Sequence, residues 1–475
     1  MSTRADSCVS PHGVLRREFT LASTFSLAFA FISPIVALYG IFALGVSSLG
    51  GGFWWGIPIA LCGQILVALA LGQLAARWPL QGGIYQWSRK LIGPCYGWFA
   101  GWFYMWTLVI AMAAVSYAGA VFLAELMGLA PSPSNCIALA ALILGLTTLG
   151  NIRGRTAVKR VVAMCIWAEI IGSVGIGIVL LVEYRINSVD ILFTALRNAP
   201  ASPATGFFSS SLVVATALAG WTFIGFESAS SISEEVENPQ RAVPLAMVMS
   251  LFFVAAIVMF SSFAILLAMP VEAFSAADPV LATLSAVFAP SIVKALLALF
   301  VIAFFASALS IQAAVSRNIW AFAREQDLPC SKTLSHLSAA EGLPRNAILL
   351  TACIAVLILM MSSTNIYTWL VNFTASGFFI SFLFPIMAAT VSLLRGRRES
   401  GSWRAKVVLF LAFAWLMFEN INLLWPRGTA GGLEDCITIL VFVGIGVLGV
   451  TTRYGLRLRP RAFDLQKRSL IKNKV

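Results

Sequence analysis

The sequence predicts an all-α integral membrane protein with twelve transmembrane helices, and three observations support that fold class. Of the 475 residues, 59% are hydrophobic and only 11% are charged. The mean hydropathy of +0.89 lies outside the range of ordinary soluble domains. The apolar residues fall in runs long enough to cross a bilayer, and the basic residues fall between those runs.

The span boundaries follow from the thickness of the bilayer. A hydrocarbon core about 30 Å thick requires roughly 20 apolar residues per helix, and a lone helix satisfies its own backbone groups. Division at the polar breaks gives spans at residues 22–47, 53–76, 93–127, 134–151, 159–183, 208–233, 243–269, 281–321, 346–362, 366–394, 405–425 and 434–452. The first run lacks a cleavage signal, so we expect a retained helix rather than a signal peptide.

The positions of the basic residues predict that both termini are cytoplasmic. The chain has 32 Lys and Arg residues. All of them except Arg185, Arg197, Lys294 and Arg427 lie in the two termini or in loops predicted on the same side of the membrane as the termini. Such an excess of basic residues is typical of cytoplasmic loops. The net charge of +12 therefore reflects orientation in the membrane, and we expect no nucleic-acid partner.

The spans divide into two halves of five, so that the second half is inverted in the membrane. The first and sixth spans are interrupted near their middles, at Ser33–Pro34 in FAFISPIVALYG and at Gly225 in WTFIGFES. The third and eighth spans are both unusually long. Matching interruptions in inverted halves are typical of a transporter's binding site. The predicted organisation is a cytoplasmic tail (1–20), a first repeat (21–183), a second repeat (208–394), two additional C-terminal helices (405–452) and a basic cytoplasmic tail (453–475).

The two interruptions have a direct physical reason. Pro34 lacks an N–H group and clashes with the preceding turn, whereas Gly225 tolerates backbone angles that other residues resist. The freed N–H and C=O groups are tolerated in a membrane where they line a cavity or meet a ligand. Helix ends at such a break can bind a carboxylate or an ammonium group. The alternative for Pro34 alone is a packing kink.

Two carboxyl groups inside the predicted spans are candidates for coupling. A charge in the membrane interior costs at least about 2.5–3.5 kcal/mol, so each carboxylate needs a partner, a cavity or a proton. Glu227 lies at the interruption of the sixth span, and Glu169 lies near mid-membrane in the fifth. We predict that either carries a proton, or that Glu227 contacts a substrate amine. The alternative for each is a structural hydrogen bond. Glu419, in the eleventh span, is expected to be structural or interfacial.

The remaining polar features give little support to other functions. The run SEEVENPQRAVP (233–244) is most simply a solvated loop, with a gate role as the alternative. The eight cysteines form no CxxC pair, and the chain has only two histidines. No phosphate-binding loop or nucleophile constellation is found. We therefore expect no metal, nucleotide or covalent cofactor and no enzymatic activity.

Three motifs in order resemble the amino acid–polyamine–organocation (APC) transporters. WTFIGFESAS followed by NPQRAVP is similar to the sixth span of the family. LGQLAARWPLQGGIYQWSRKLIGPCYGWFAGW (71–102) resembles the second-to-third span region of its amino acid, choline and 4-aminobutyrate permease branch. SRNIWAFAREQDLP (316–329) is similar to the inner end of the eighth span. The resemblance covers about residues 20–450.

The resemblance implies a five-plus-five inverted repeat (LeuT-like fold), alternating access, and an amino acid or amine held between spans 1, 3, 6, 8 and 10. It makes Trp221 an aromatic gate, Gly225 the unwound point and Glu227 a carboxylate linked to proton sensing. Glu169 falls where some proton-coupled relatives carry a lysine. The substrate-binding candidates are Ser33, Pro34, Ile35, Tyr39, Gly40, Thr107, Met112, Trp221, Gly225 and Ile311. Met112 and Ile311 fall where arginine antiporters carry an asparagine and a tryptophan, so arginine is not the expected substrate.

The expected function is secondary transport of a small amino acid or amine, with a proton as the coupling ion and sodium as the alternative. A channel would need a continuous polar path or a ring of charges. A nutrient receptor on the same fold that binds without transporting is a second alternative. The expected location is the plasma membrane, with an organelle membrane as the alternative. The sequence leaves the oligomeric state and accessory subunits open.

Overall fold

The computed structural model describes residues 17–198, 207–338, 342–361, 366–396, 402–425 and 433–458. These residues form α-helices and short 3-10 or π turns, with an isolated β-bridge between Phe19 and Val236. The first ten helices are α1 (Leu21–Ile32), α2 (Pro34–Tyr39), α3 (Phe42–Leu49), α4 (Gly56–Arg77), α5 (Gly83–Leu91), α6 (Pro94–Leu126), α7 (Pro133–Ile152), α8 (Arg155–Glu169), α9 (Ile176–Glu183) and α10 (Ile191–Asn198). The others are α11 (Ser211–Trp221), α12 (Ser228–Ser231), α13 (Pro239–Ala268), α14 (Pro279–Val287), α15 (Pro290–Arg324), α16 (Ser331–Leu334), α17 (Arg345–Met360), α18 (Ile366–Leu394), α19 (Trp403–Leu424) and α20 (Leu433–Leu458).

Many of the helices are long and apolar, as the sequence predicts for a membrane protein. Ten segments of the described residues have the length and hydropathy needed to cross a bilayer. Two further apolar helices, α11 and α17, are shorter than a span. The all-α membrane fold class is confirmed, whereas the count of twelve spans stays a prediction.

The predicted eighth span, 281–321, is wrong at its beginning. The structure divides this apolar run into α14 and α15, which are separate helices. Ala289 has extended backbone angles (φ −60°, ψ 149°) because it precedes Pro290, which begins α15. The span nevertheless remains long, since α15 has 35 residues and α6 has 33.

The ends of the predicted first and last spans also differ from the helices. The first span was predicted at 22–47, but the helix ends at Tyr39 and restarts as α3 after a turn at Gly40 and Ile41. At the other end, α20 continues to Leu458, beyond the predicted boundary at 452. The rest of the predicted C-terminal tail lies outside the described residues.

The two long helices pack together in the middle of the bundle. In the most apolar part of α6, 89% of residues are buried, compared with 11% for α20, so α6 is central and α20 is peripheral. α6 packs against α15 and α18, and α1 packs against α8, α13 and α15. Gly101 and Gly119 of α6 lie against the Phe322 and Phe304 side chains of α15. Small residues allow such close approach between membrane helices.

Candidate functional site

The first interruption lies between α1 and α2, where Ser33 has positive φ (φ 50°, ψ 111°). In a continuous helix the Ile35 N–H would donate to the Phe31 carbonyl. Here the Ile35 N–H donates instead to Glu169 Oε2 at 2.8 Å, and Ser307 Oγ donates to the Phe31 carbonyl at 2.8 Å. Two tertiary hydrogen bonds, from α8 and α15, therefore replace one helical bond.

Glu169 holds the beginning of α2. Its Oε1 accepts a hydrogen bond from Ser33 Oγ and lies 3.8 Å from Cys165 Sγ, while Oε2 accepts from the Ile35 N–H. The side chain is fully buried. Glu169 is the last residue of α8 and precedes a π-helical turn over Ile170–Gly175. Such turns are frequent at functional sites because they displace one residue from the regular helical register.

The second interruption separates α11 from α12. Residues 222–227 form turns rather than a helix, and Gly225 has φ +116°. The Gly225 N–H donates to Glu227 Oε2 at 3.1 Å, and Tyr104 of α6 donates to Glu227 Oε1 at 3.0 Å. Glu227 is fully buried. A buried carboxyl group therefore accepts backbone hydrogen bonds at each interruption.

The two interruptions meet inside the bundle. A Cβ atom on Gly225 would overlap the Phe31 ring, which lies two residues before Ser33. The Phe378 ring of α18 packs edge-on against Phe31 at 6.3 Å between centroids, and Tyr104 packs against Phe378 at 6.1 Å. Side chains from α6, α8, α15 and α18 thus surround the two discontinuous helices.

The C-terminal ends of α2 and α11 also touch. A Cβ on Gly40 would lie 2.9 Å from the Trp221 ring, so the indole lies directly beside the end of α2. Trp221 is buried, and its Nε1 has no hydrogen-bond partner among the described residues. Tyr39 is half-buried and packs on Phe300 at 4.2 Å between ring centroids.

The remaining predicted residues lie on the long helices. Thr107 of α6 lies against Gly377 of α18 and donates to the Phe103 carbonyl at 2.8 Å. Met112 is buried further along α6. Ile311 is buried on α15, one turn beyond Ser307 and on the same helix face.

Sequence reasoning missed four residues at the interruptions. Ser307 and Tyr104 are polar groups within apolar helices, and that signal could have selected them. Phe31 and Phe378 could not be distinguished from core residues, because their role depends on tertiary contacts.

Glu419 of α19 is buried, and its Oε2 is 3.7 Å from the Cβ position of Gly220 in α11.

A polar network lies at the ends of the helices predicted to be cytoplasmic. Glu235 is 1% exposed and accepts from Arg317 Nε at 2.6 Å and from Gln81 Nε2 at 3.2 Å. Arg324 donates to both carboxylate oxygens of Glu234, at 2.7 and 3.0 Å. The solvated interpretation of this acidic run is therefore wrong for Glu235.

A neighbouring cluster joins α5 to the end of α15. Tyr85 donates to Asp327 Oδ2 at 2.8 Å, and Arg89 pairs with Glu325 at 2.8 Å. Burial, and then the Asp327 carboxylate, raise the pKa of Tyr85. Tyr85 therefore acts as a neutral hydrogen-bond donor.

Comparison with known proteins identifies the fold and the family. An amino acid permease family profile matches residues 23–448 of the chain. The chain belongs to the amino acid permease family. It is a multi-pass integral membrane protein and a transporter rather than an enzyme.

The permease has distant relatives among fungal and bacterial proteins. It is 26% identical to an uncharacterized amino-acid permease of Schizosaccharomyces pombe, over 86% of this chain and 79% of that protein. It is 25% identical to the putrescine transporter PotE of Haemophilus influenzae, over 84% of this chain and 89% of that protein. A solved structure of a manganese transporter from Eremococcus coleocola is similar with a TM-score of 0.56. That match covers 95% of this chain and 98% of the other at 14% identity, so it shows the fold alone.

The buried ion pair of the permease gives a prediction about stability. Arg317→Met is expected to lower the melting temperature of the detergent-solubilised protein, because it leaves Glu235 buried without its charged partner. Removal of one partner of such a pair typically costs about 3–5 kcal/mol. The double variant with Glu235→Leu is expected to melt above the single variant. Arg345→Met, at an exposed position, is the control and should have little effect. A double variant that melts no higher than the single one would contradict the prediction.

Proposed function

We propose that the permease is a secondary active transporter of an amino acid or small amine that works by alternating access, with proton symport or exchange. The observation that carries this proposal is the contact between two discontinuous helices, each with a buried carboxyl group on its freed backbone. Discontinuous helices expose peptide groups that bind the polar ends of a substrate near the middle of the membrane.

The proposal includes twelve spans, two inverted repeats of five, and cytoplasmic termini. The interruptions at Ser33 and Gly225 occur in the first helix of each proposed repeat, 21–183 and 208–394. The long helices α6 and α15 occupy equivalent third positions. The orientation rests on the distribution of lysine and arginine.

The substrate is proposed to bind between the two interruptions. Backbone groups from Ser33 to Gly40 and from Trp221 to Glu227 would hold its polar ends. Trp221 would cover it, and Thr107, Met112 and Ile311 would line the sides. An amine as the substrate would agree with the putrescine transporter among the relatives. An amino acid as the substrate would agree with the amino-acid permease among them.

The neutral surroundings of the two carboxyl groups support their role in coupling. The described hydrogen-bond partners of Glu169 are Ser33, Ile35 and Cys165, and those of Glu227 are Tyr104 and Gly225. None of these groups is basic. A carboxylate buried in this way requires a proton or a cation for compensation. A coupling proton or a substrate ammonium group would supply this compensation, and a sodium ion is the alternative.

The cytoplasmic side is proposed to be closed in this conformation. The Arg317–Glu235 and Arg324–Glu234 pairs join α15 to the segment after α12. Alternating access would require these contacts to break when the substrate is released inside.

Uptake into liposomes tests the proposed function. The purified permease would be reconstituted and supplied with labelled amino acids and amines, with an imposed pH gradient, a sodium gradient or neither. Saturable accumulation driven by the pH gradient is the expected result. Accumulation driven only by the sodium gradient would show that sodium, and not a proton, is the coupling ion. Flux that never saturates would indicate a channel, and saturable binding without flux would indicate a receptor.

Glu227→Gln is expected to abolish uptake or to remove its dependence on pH. The glutamine cannot release a proton, and it has only one oxygen to accept bonds from the Tyr104 hydroxyl and the Gly225 N–H. Initial uptake rates across a range of external pH values measure the effect. Glu183→Gln removes an exposed carboxyl group at the end of α9 and should leave the profile unchanged. Wild-type kinetics at every pH in Glu227→Gln would exclude Glu227 from the mechanism.

A further inference from the structure

The first backbone N–H groups of α2 are already occupied by side chains of the protein. Pro34 has no N–H group. The Ile35 N–H donates to Glu169 Oε2 at 2.8 Å, and the Val36 N–H donates to Ser33 Oγ at 3.1 Å. In discontinuous transporter helices, N–H groups at such a position bind anionic groups of the substrate. Here a carboxylate of the protein occupies that position.

The second interruption repeats this arrangement. The Gly225 N–H donates to Glu227 Oε2 at 3.1 Å. The Tyr104 hydroxyl donates its proton to the other oxygen of the same carboxyl group at 3.0 Å. The donors of both interruptions are therefore used inside the protein, and in each case the acceptor includes a glutamate.

The carbonyl groups of the first interruption have the opposite status. In a continuous helix, the residues at positions 34 and 36 would donate to the carbonyls of Ala30 and Ile32. Pro34 has no N–H group, and the Val36 N–H donates to a side chain instead. Both carbonyls therefore lose their helical donors, so this turn offers acceptors rather than donors.

The unwound segment at the second interruption also holds polar groups without their usual partners. The Ser228 N–H donates to the Gly225 carbonyl at 3.0 Å, so the Ile224 carbonyl loses its helical donor. The Thr222 and Ser228 hydroxyl groups are buried and have no hydrogen-bond partner among the described residues. Buried polar groups are normally hydrogen-bonded, so these groups indicate that a ligand or water completes the segment.

The side-chain charges at the interruptions favour a cation. Glu169 and Glu227 are fully buried, and their described hydrogen-bond partners are neutral. A substrate carboxylate would add a further negative charge beside them and would find the donors occupied. An ammonium group is a donor only and carries a positive charge, so it suits both the carboxylates and the freed carbonyls.

We propose that the substrate is a cationic amine that carries no carboxylate group, rather than an amino acid. Its ammonium group donates to the freed carbonyls and to Glu227 or Glu169. Its apolar part packs near Phe31, whose ring lies against Gly225 between the two interruptions. This inference rests on the proposed binding site between the interruptions and narrows the substrate class of that site.

The test compares pairs of ligands that differ only in the carboxylate group. The pairs are cadaverine with lysine, isobutylamine with valine, and phenethylamine with phenylalanine. Binding to the purified permease is measured by isothermal titration calorimetry at neutral pH in a sodium-free potassium buffer, so that sodium does not compete for the same oxygen atoms. In every pair with measurable binding, the amine is expected to bind about 5- to 150-fold more tightly, because the carboxylate would be buried without a donor.

Glu169→Ala changes the occupation of the first N–H groups of α2. It frees the Ile35 N–H and the Ser33 hydroxyl for a substrate carboxylate, so the preference for the amine is expected to shrink. The control Glu183→Ala removes an exposed carboxyl group at the end of α9 and should keep the wild-type preference. The ligand pairs decide the proposal in the wild type alone if Glu169→Ala does not fold.

Amino acids that bind as tightly as their matched amines would overturn the proposal, and so would the absence of binding by every amine. An unchanged preference in folded Glu169→Ala would overturn it as well, because occupation by Glu169 is its basis. Uptake into liposomes separates these results from the proposed function. Uptake of amino acids without amines would support secondary transport and overturn the amine assignment. Tight binding of amines without flux would support the amine assignment and contradict secondary transport.

Discussion

Replacement of Gly225 by alanine is expected to lower substrate uptake at least about 30-fold, because the site cannot accept a side chain. The backbone at Gly225 has φ +116°, a conformation that residues with a Cβ rarely adopt. The new methyl group would also overlap the Phe31 ring. Strain and overpacking together cost about 2–6 kcal/mol. Initial uptake rates in liposomes, normalised to reconstituted protein, measure the loss.

Two further variants identify the cause of the loss. Gly145→Ala lies in α7, where a Cβ would meet no atom within 4 Å, and it should transport normally. Phe31→Ala combined with Gly225→Ala removes the overlap but keeps the backbone strain, so it should recover only part of the uptake. Full activity in Gly225→Ala alone would show that the interruption is not needed for transport.

Glu169→Gln is expected to lower uptake by about 5- to 150-fold and to make the remaining uptake independent of pH. The carboxylate accepts from Ser33 Oγ with one oxygen and from the Ile35 N–H with the other. A glutamine has one accepting oxygen, so its NH₂ group would face one of these donors. A buried donor without a partner costs about 1–3 kcal/mol. Uptake as a function of external pH measures both effects.

The control for Glu169 lies one helical turn away. Cys165→Ser replaces the group that is 3.8 Å from the same carboxyl oxygen and keeps a donor there, so wild-type uptake is expected. If Glu169→Gln retains the pH profile while Glu227→Gln loses it, the coupling proton belongs to Glu227. A wild-type rate and profile in Glu169→Gln would leave Glu169 without a role in transport.

The sequence predicted both interruptions because the residues that cause them act locally. Pro34 removes a backbone donor wherever it stands, and Gly225 permits a conformation that its neighbours do not favour. The extent of the unwound segment at 222–227 could not be predicted in this way. Hydropathy alone also predicted a single span where the structure has α14 and α15, because both helices and the residues between them are apolar.

The partners of the buried polar groups could not be predicted, because those partners are distant in the sequence. Ser307 lies 276 residues from the carbonyl of Phe31 to which it donates. Glu235 was expected in a solvated run, yet it is buried against Arg317, 82 residues further along the chain. Burial and pairing of this kind depend on the tertiary arrangement, which the local charge pattern does not encode.

The β-bridge at Phe19 ties the start of the described chain to the segment between α12 and α13. The Glu18 and Phe19 N–H groups donate to the Glu235 carbonyl at 2.9 and 3.0 Å, and the Glu237 N–H donates to the Phe19 carbonyl at 2.8 Å. Lys159 of α8 donates to the Glu18 carbonyl at 2.5 Å. Residues 18–19 therefore hydrogen-bond both to the segment between α12 and α13 and to α8. A fluorophore or affinity tag attached just upstream of Glu18 is therefore expected to disturb this junction.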